Sequence, residues 1–254
     1  RRIKKYDNMR KRTIILTAAS AVCILALLSE HRRIPKVEPE RRFSIQSVFR
    51  SNTDGFAVAA NQRRFSFPND HGSHPRYRTE WWYYTGNLEG GGGRRFGFQL
   101  TFFRTALHPE GGGSERNSSW AAGQVYMAHF ALTDVGERRF YTFERFSREA
   151  VNLAGANVRP FHVWLDDWNV EGQAEGSATG KGMTMRLRAE EDGIRIDLRL
   201  RSEKPAVLHG EKGLSKKGAG LGNASYYYSL TRLETVGQID VKGKRFEVDG
   251  FAWM

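Results

Sequence analysis

The sequence predicts a mainly β protein that forms an antiparallel β-barrel, and two observations support this fold class. Apolar and polar residues alternate with a period of two in several segments, as they do in strands with one buried face. Turns that contain Gly and Asp separate these segments, and from Phe43 onward we find no long amphipathic helix with start and stop signals. Strands that follow one another through short turns form an up-and-down meander, which closes most simply into a barrel.

The chain starts with a basic segment and an apolar run, which together predict an export signal. Residues 14–28 are mostly apolar and follow Arg10, Lys11 and Arg12. Because a membrane-spanning helix needs about 20 apolar residues, this shorter run is typical of a signal peptide. No small-x-small cleavage site follows the run, so an uncleaved N-terminal membrane anchor is the alternative for residues 1–30. In both cases we expect a periplasmic or extracellular domain, held at the inner membrane if the segment stays attached.

Residues 31–42 are rich in charge, contain Pro35 and Pro39 and show no apolar periodicity, so they predict a linker to a barrel domain at residues 43–254. The single cysteine, Cys23, lies in the apolar run, and the predicted domain therefore has no disulfide. Residues 1–42 hold 12 Lys/Arg against 4 Asp/Glu, which is +8 of the total net charge of +12. The remaining charge is typical of an ordinary surface, and we predict no nucleic-acid partner.

Four segments show the strand alternation most clearly. In residues 95–105 one face carries four large apolar side chains, and the other face carries Gln99 and Phe103. The same period occurs in three further segments, residues 124–133, 182–189 and 194–201. Hairpin turns are predicted at residues 90–93, 134–137, 191–193 and 242–244. Residues 108–119 and 210–224 are rich in Gly and Ser and predict long loops at a barrel mouth.

The segment 65–88 concentrates the residues that can carry chemistry. It places four ionisable residues, Asp70, His71, His74 and Glu80, in front of four consecutive aromatic residues, Trp81, Trp82, Tyr83 and Tyr84. If a strand starts near Thr79, Glu80, Trp82 and Tyr84 share one face, while Trp81 and Tyr83 share the other. A carboxyl group among inward-facing rings is in an environment where it can act as an acid.

Two other interpretations of this segment remain open. The rings could be ordinary core, with Glu80 paired to an arginine such as Arg76 or Arg78. The Asp-His-x-x-His spacing of residues 70–74 also suggests a metal site, but Gly and Pro interrupt it, and a third ligand such as His129 would have to come from another strand. We therefore predict no metal and no other cofactor.

The same residues resemble a family signature. The pattern F-P-x-D-H-G-x-H-P at residues 67–75, followed by E-W-W-Y-x-T-G-x-L at residues 80–88, is similar to the opening of the AttH-like, carotenoid 1,2-hydratase (hydroxyneurosporene synthase) family, often labelled predicted secreted hydrolases. Residues 225–254 resemble the end of that family's first lipocalin-like domain. The resemblance implies a lipocalin-like barrel with an apolar cavity. Family members usually continue into a second lipocalin-like domain, which we expect this chain to lack.

Two functions fit these residues. One is an enzyme that hydrates or hydrolyses an apolar molecule, with Asp70 or Glu80 as proton donor and His71 or His74 orienting water. Aromatic rings would stabilise a cationic intermediate, although hydrolysis has no G-x-S-x-G nucleophile elbow to support it. The alternative is a non-catalytic periplasmic carrier of a hydrophobic small molecule.

In either case the predicted ligand is a polyene, a terpenoid or an acyl chain. The predicted ligand-binding residues are the aromatic and polar side chains expected along the barrel, namely Trp81, Trp82, Tyr83, Tyr84, Gln99, Phe103, His129 and Tyr227.

Overall fold

A computed structural model describes residues 54–110, 123–173 and 179–254. The predicted export signal and linker lie outside these residues. The described chain contains short 3-10 turns at Asn69–His71, Gly91–Gly93 and Ala150–Asn152, and otherwise strands and loops. No helix in the described ranges is long and apolar enough to span a membrane.

The strands, in chain order, are β1 Thr79–Gly90, β2 Arg94–Ala106, β3 Gln124–Asp134, β4 Arg139–Arg148, β5 Ala154–Asn157, β6 Phe161–Leu165, β7 Trp168–Gln173, β8 Thr184–Glu191, β9 Ile194–Ser202, β10 Val207–Leu208, β11 Leu214–Lys216, β12 Ala224–Tyr226, β13 Tyr228–Ser229, β14 Leu233–Val241 and β15 Lys244–Trp253. β2, β3, β8 and β9 coincide with the four predicted strands within a few residues.

Eleven strands form one antiparallel sheet in the order β4-β3-β2-β1-β15-β14-β9-β8-β7-β6-β5. Most neighbours in the sheet follow one another along the chain. The main exception is the pairing of β1 with β15, where Thr85 lies opposite Trp253 and Gly90 opposite Val248. The edge strands are β4 and β5, and β5 and β6 approach β3 and β4. The sheet is thus a nearly closed barrel, which confirms the predicted fold class.

One predicted loop contains a strand. Within residues 210–224, Leu214–Lys216 forms β11 and pairs with β12, with Ser215 opposite Ser225. The glycines that suggested a loop lie on either side of β11, and Leu214 itself is buried. The interpretation of the whole segment as a loop was therefore wrong at this point.

Alternation along the strands fills the barrel with large apolar side chains. The inner faces contribute one continuous cluster that includes Leu100, Phe102, Phe130, Val163, Trp168, Leu187 and Leu198. Full burial of such a side chain stabilises the fold by about 1.5–3 kcal/mol. In β1 the inner residues are Trp82 and Tyr84, whereas Trp81 and Tyr83 are 36% and 37% exposed on the outer face. β1 thus brings its inner aromatic residues to the end of the barrel where the chain enters it.

Candidate active site

The segment before β1 folds over one end of the barrel. Its 3-10 turn at Asn69–His71 buries both Asp70 and His71. The backbone N–H of Ser66 donates a hydrogen bond to the Asp70 carboxylate. The indole N–H of Trp82 donates to the carbonyl oxygen of His71 over 2.9 Å. The turn is therefore held against the inner face of β1. This agrees with the sequence, because only a few residues separate the turn from the start of β1 at Thr79.

Asp70, His74 and Glu80 form a continuous hydrogen-bonded chain. His74 Nε2 lies 2.9 Å from Asp70 Oδ1, and His74 Nδ1 lies 2.6 Å from Glu80 Oε1. The backbone N–H of His74 also donates to Glu80 Oε2 over 2.9 Å. Both ring nitrogens of His74 are thus engaged by carboxylates, as they are in a doubly paired imidazolium.

Two arginines complete this network. The guanidinium of Arg63 lies 2.6 Å from Asp70 Oδ1. Arg104 lies opposite Glu80 in the β1–β2 register and donates to Glu80 Oε2 over 3.3 Å. It also donates to the carbonyl oxygens of His74 and Tyr77 over 3.0 and 2.7 Å, and its side chain is fully buried.

The network moves two pKa values in opposite directions. Burial alone would raise the pKa of Asp70, but hydrogen bonds from His74, Arg63 and Ser66 lower it to about 2. Burial alone would lower the pKa of His74, but its hydrogen bonds to Asp70 and Glu80 raise it to about 9. Near neutral pH Asp70 is therefore a carboxylate and His74 an imidazolium. The prediction of Asp70 as the proton donor does not agree with this charge state.

His71 occupies a different environment, inside the barrel. Its side chain is fully buried, with its ring centroid 4.7 Å from that of Phe67 and 6.4 Å from that of Phe161. His71 Nδ1 lies 2.8 Å from the hydroxyl oxygen of Tyr228, which donates to the carbonyl oxygen of Asp70 over 3.2 Å. Burial lowers the pKa of His71 to about 4, so the imidazole is neutral at pH 7.

The predicted ligand-binding residues lie on two faces of the sheet. Trp82 and Tyr84 are inside, whereas the other six, Trp81, Tyr83, Gln99, Phe103, His129 and Tyr227, are on the outer side or pack there. Trp81, for example, contacts Tyr227 with ring centroids 6.2 Å apart. Because adjacent residues of a strand point to opposite faces, one interior site cannot contain both sets. Of the eight predicted residues, Trp82 and Tyr84 are those that face the barrel interior.

Sequence reasoning missed three residues of the site. Arg104 stands beside Glu80, where Arg76 or Arg78 was considered, because the cross-strand register decides this contact. Arg63 reaches Asp70 from the loop before it. Tyr228, rather than Tyr227, contacts His71, and alternation along residues 226–228 was the signal that could have distinguished them.

A groove of about 830 Å³ runs along β6 to β9 and β14. None of the predicted site residues lines it, but Phe161, whose ring lies near that of His71, does. Within the described ranges no group of three His, Cys, Asp or Glu side chains has the arrangement of a metal site. His129, the third ligand that such a site would need, lies on the outer face beside Glu144, with Nε2 2.8 Å from Oε2.

Comparison with known proteins places this barrel in a family. Residues 58–254 match the family model described as AttH-like. The crystal structure of a candidate AttH from Nitrosomonas europaea is similar over 78% of this chain and 56% of that one, with 35% identity and a TM-score of 0.64. Kievitone hydratase from Nectria haematococca is similar over 78% of this chain and 53% of its own, with 11% identity and a TM-score of 0.52, which shows a shared fold alone.

No curated protein matches the chain significantly. The chain spans a little over half the length of the two solved structures. The family model nevertheless covers most of the sequence, including the 3-10 turn, β1 and every strand of the barrel. On this evidence the chain belongs to the AttH-like family.

Proposed function

We propose that this chain is an exported, lipocalin-like AttH-type protein that binds an apolar small molecule at the barrel end covered by the 3-10 turn and adds water to it by acid–base chemistry, either in hydration or in hydrolysis. The observation that carries the proposal is the buried, aromatic environment of the His71 side chain. Its imidazole is fully buried among aromatic rings and is neutral at pH 7, so one ring nitrogen is unprotonated and can accept a proton from a water molecule beside it.

The roles of the four polar residues follow from their contacts. His71 Nε2 would take a proton from the attacking water and return it to the ligand atom that receives the displaced electron pair, so that the imidazole ends the reaction neutral. The contact of His71 Nδ1 with Tyr228 would orient the ring, and the hydrogen bond from Trp82 to the His71 carbonyl would hold its backbone. Asp70, His74 and Glu80 would position the turn that carries His71, rather than exchange protons with the ligand. This assignment differs from the sequence-based one, in which Asp70 or Glu80 supplied the proton.

The first experiment identifies the ligand and then tests turnover. The apolar molecule that copurifies with the protein would be identified by mass spectrometry and incubated with the protein in isotopically labelled water. We expect a product that contains one labelled oxygen, and we expect His71→Phe to abolish its formation. His129→Phe, on the outer face, is the matched control and should leave turnover unchanged. Turnover that survives in His71→Phe would refute the role of His71.

The alternative function is a non-catalytic carrier of a hydrophobic small molecule. It is supported by the completeness of the ion network, because both ring nitrogens of His74 and the carboxylates beside them are already paired. If the protein is a carrier, the copurified ligand should stay chemically unchanged after incubation with the protein in labelled water. Variants of the ion network should then bind the ligand with the same affinity as the wild type.

Export is a separate part of the proposal. We expect residues 1–42 to direct a fused alkaline phosphatase across the inner membrane, where its disulfides form and it becomes active. Replacing apolar residues of the 14–28 run with charged ones should abolish that activity. A fusion that remains inactive and intracellular would contradict the export proposal.

A further inference from the structure

The groove along β6 to β9 and β14 crosses the outer face of the barrel. Four of its lining residues, Phe161, Gly172, Met185 and Leu200, lie opposite one another across β6, β7, β8 and β9. All four are buried and belong to the inner set of their strands, so their backbone forms the floor of the groove. Five neighbouring strands give it a length of about 19 Å. Its volume of about 830 Å³ is that of a site for a small molecule.

Outward side chains stand in one row on each side of this floor, because residues alternate between the two faces of a strand. In the first row Arg186 of β8 lies opposite Arg199 of β9, and Arg199 lies opposite Val236 of β14. In the second row Arg201 of β9 lies opposite Glu234 of β14. Three arginines therefore line the part of the groove between β8 and β14.

Only one of these three arginines, Arg199, has no ion pair or hydrogen bond of its side chain within the described part of the chain. Arg186 donates two hydrogen bonds to Asp197, each over 2.8 Å. Arg201 donates to Glu234 over 2.9 Å. Like charges that face each other on neighbouring strands destabilise a sheet, and Arg199 faces Arg186. An anion between the two guanidinium groups would relieve this repulsion.

The rest of this part of the groove suits an apolar molecule. Each strand of the floor has a neighbour on both sides, so its backbone N–H and C=O groups bond within the sheet and offer little to a ligand. Val236 is 49% exposed beside Arg199. The methylene groups of the arginine side chains add further apolar surface along the walls.

We propose that this groove binds an apolar carboxylic acid, with its carboxylate between Arg186 and Arg199 and its hydrocarbon chain along the floor. An arginine can bind a carboxylate with two parallel hydrogen bonds, which a neutral alcohol cannot match. The site lies on the outer face of the sheet, so it is separate from the interior site of the proposed function and does not depend on it.

Three probes separate the two parts of the ligand: decanoate, decan-1-ol and acetate, each titrated into the full chain by calorimetry. We expect decanoate to bind about fivefold more tightly than decan-1-ol, because an exposed ion pair contributes up to about 1 kcal/mol. This preference should decrease in concentrated salt, and acetate should bind too weakly to measure. Equal affinities of decanoate and decan-1-ol, or no binding of decanoate, would overturn the proposal. Binding of acetate as tight as that of decanoate would overturn the apolar part of the site.

Arg199→Gln locates the carboxylate. It should lower the affinity for decanoate to that for decan-1-ol and leave the affinity for decan-1-ol unchanged. A preference for decanoate that survives in Arg199→Gln would place the acid elsewhere, for example inside the barrel. That result would overturn this proposal and leave the proposed function standing.

Arg148→Gln is the matched control. Arg148 is also an exposed arginine with no ion pair among the described residues, but it lies on β4 and does not line the groove. The variant removes the same charge and should keep the full preference for decanoate. If both variants reduce the preference equally, the net charge of the protein and not the groove is responsible.

The thermal stability of the free protein provides a second test. Because Arg199 faces Arg186 without an anion, Arg199→Gln should leave Tm unchanged or raise it slightly. Decanoate should raise the Tm of the wild type more than that of Arg199→Gln. A clearly lower Tm in Arg199→Gln without ligand would show that Arg199 already has an anionic partner in the chain, and would overturn the proposal.

Discussion

His71 and His74 are separated by two residues, yet their surroundings shift their pKa values in opposite directions. His71 lies among aromatic rings, and burial lowers its pKa to about 4. His74 is also partly desolvated, but Asp70 and Glu80 raise its pKa to about 9. The same short segment thus holds one neutral and one charged imidazole at pH 7.

These shifts predict how stability depends on pH. As the pH falls from 6.5 to about 4, the unfolded state binds a proton at His71 that the folded state does not, so the free energy of unfolding decreases. As the pH rises from 6.5 to about 9, the folded state keeps a proton at His74 that the unfolded state loses, so the free energy of unfolding decreases again. Each change amounts to about 3 kcal/mol at most. Urea unfolding between pH 4 and pH 10 measures both, with a maximum expected near pH 6.5.

Two variants assign these changes to residues. His74→Gln should remove the loss of stability on the alkaline side and leave the acidic side in place. His71→Gln should do the opposite. If His74→Gln keeps the alkaline loss, the pairing of His74 with Asp70 and Glu80 does not control it.

At the scale of single residues, the sequence predicted which side chains of residues 70–80 lie close together better than it predicted their contacts with other strands. Asp70, His74 and Glu80 come together because a Gly- and Pro-broken loop leads directly into β1, and short spacing made this foreseeable. Arg104 and Tyr228 come from positions that only strand register or the barrel closure brings near. Tyr228 is 157 residues from His71 in the sequence, and the residues around either position do not predict the contact.

Strands were predictable where apolar residues occupy one face. β9 alternates strictly between buried and more exposed residues along its whole length, and β2 does so from Arg95 to Leu100; this periodicity is visible in the sequence. β4 exposes Phe140 and Phe146 while Tyr141 and Phe143 pack against the core, so aromatic residues on both faces hide the period. β5 is only four residues long, with the sequence AGAN, and is too short for a period to appear.

The pairing of β1 with β15 depends on a close backbone approach at Gly250. Gly250 lies opposite Leu88 with a φ of +157°, which residues with a side chain rarely adopt, and a Cβ atom there would lie 2.3 Å from the carbonyl oxygen of Asn87 and 3.0 Å from Leu88 Cα. Both neighbours are backbone atoms of a central strand and cannot move aside easily. We therefore expect Gly250→Ala to lower the free energy of unfolding by about 3 kcal/mol, measured by urea unfolding.

Gly91→Ala is the control for this prediction. A Cβ atom at Gly91, in the turn between β1 and β2, has no neighbour within 4 Å among the described residues. It should be nearly neutral. Equal effects of the two substitutions would show that loss of glycine flexibility, and not the strand contact, is responsible.

On the scale of the whole barrel, the meander leaves two edges, β4 and β5, that must be held without a shared hydrogen-bond ladder. Arg145 of β4 makes contacts across to the β6–β9 side. It donates to Glu191 Oε2 over 2.9 and 2.6 Å, pairs with Asp167, and its guanidinium lies 4.3 Å from the centre of the Trp168 ring. A single side chain thus links one edge to two turns on the other side, in place of a strand pair.

This arrangement predicts that Arg145 stabilises the closed barrel more than its own strand. Arg145→Gln should lower the free energy of unfolding by about 2 kcal/mol, because two carboxylates lose their charged partner and Trp168 loses a stacked cation. Hydrogen exchange should also become faster in β4 to β7 than in β1 and β2, since the edges separate before the centre of the sheet opens. Arg148→Gln, an exposed position at the end of the same strand, is the control and should change neither quantity. If both variants accelerate exchange equally in all strands, the contacts of Arg145 do not hold the edges together, and closure has to come from the packed interior alone.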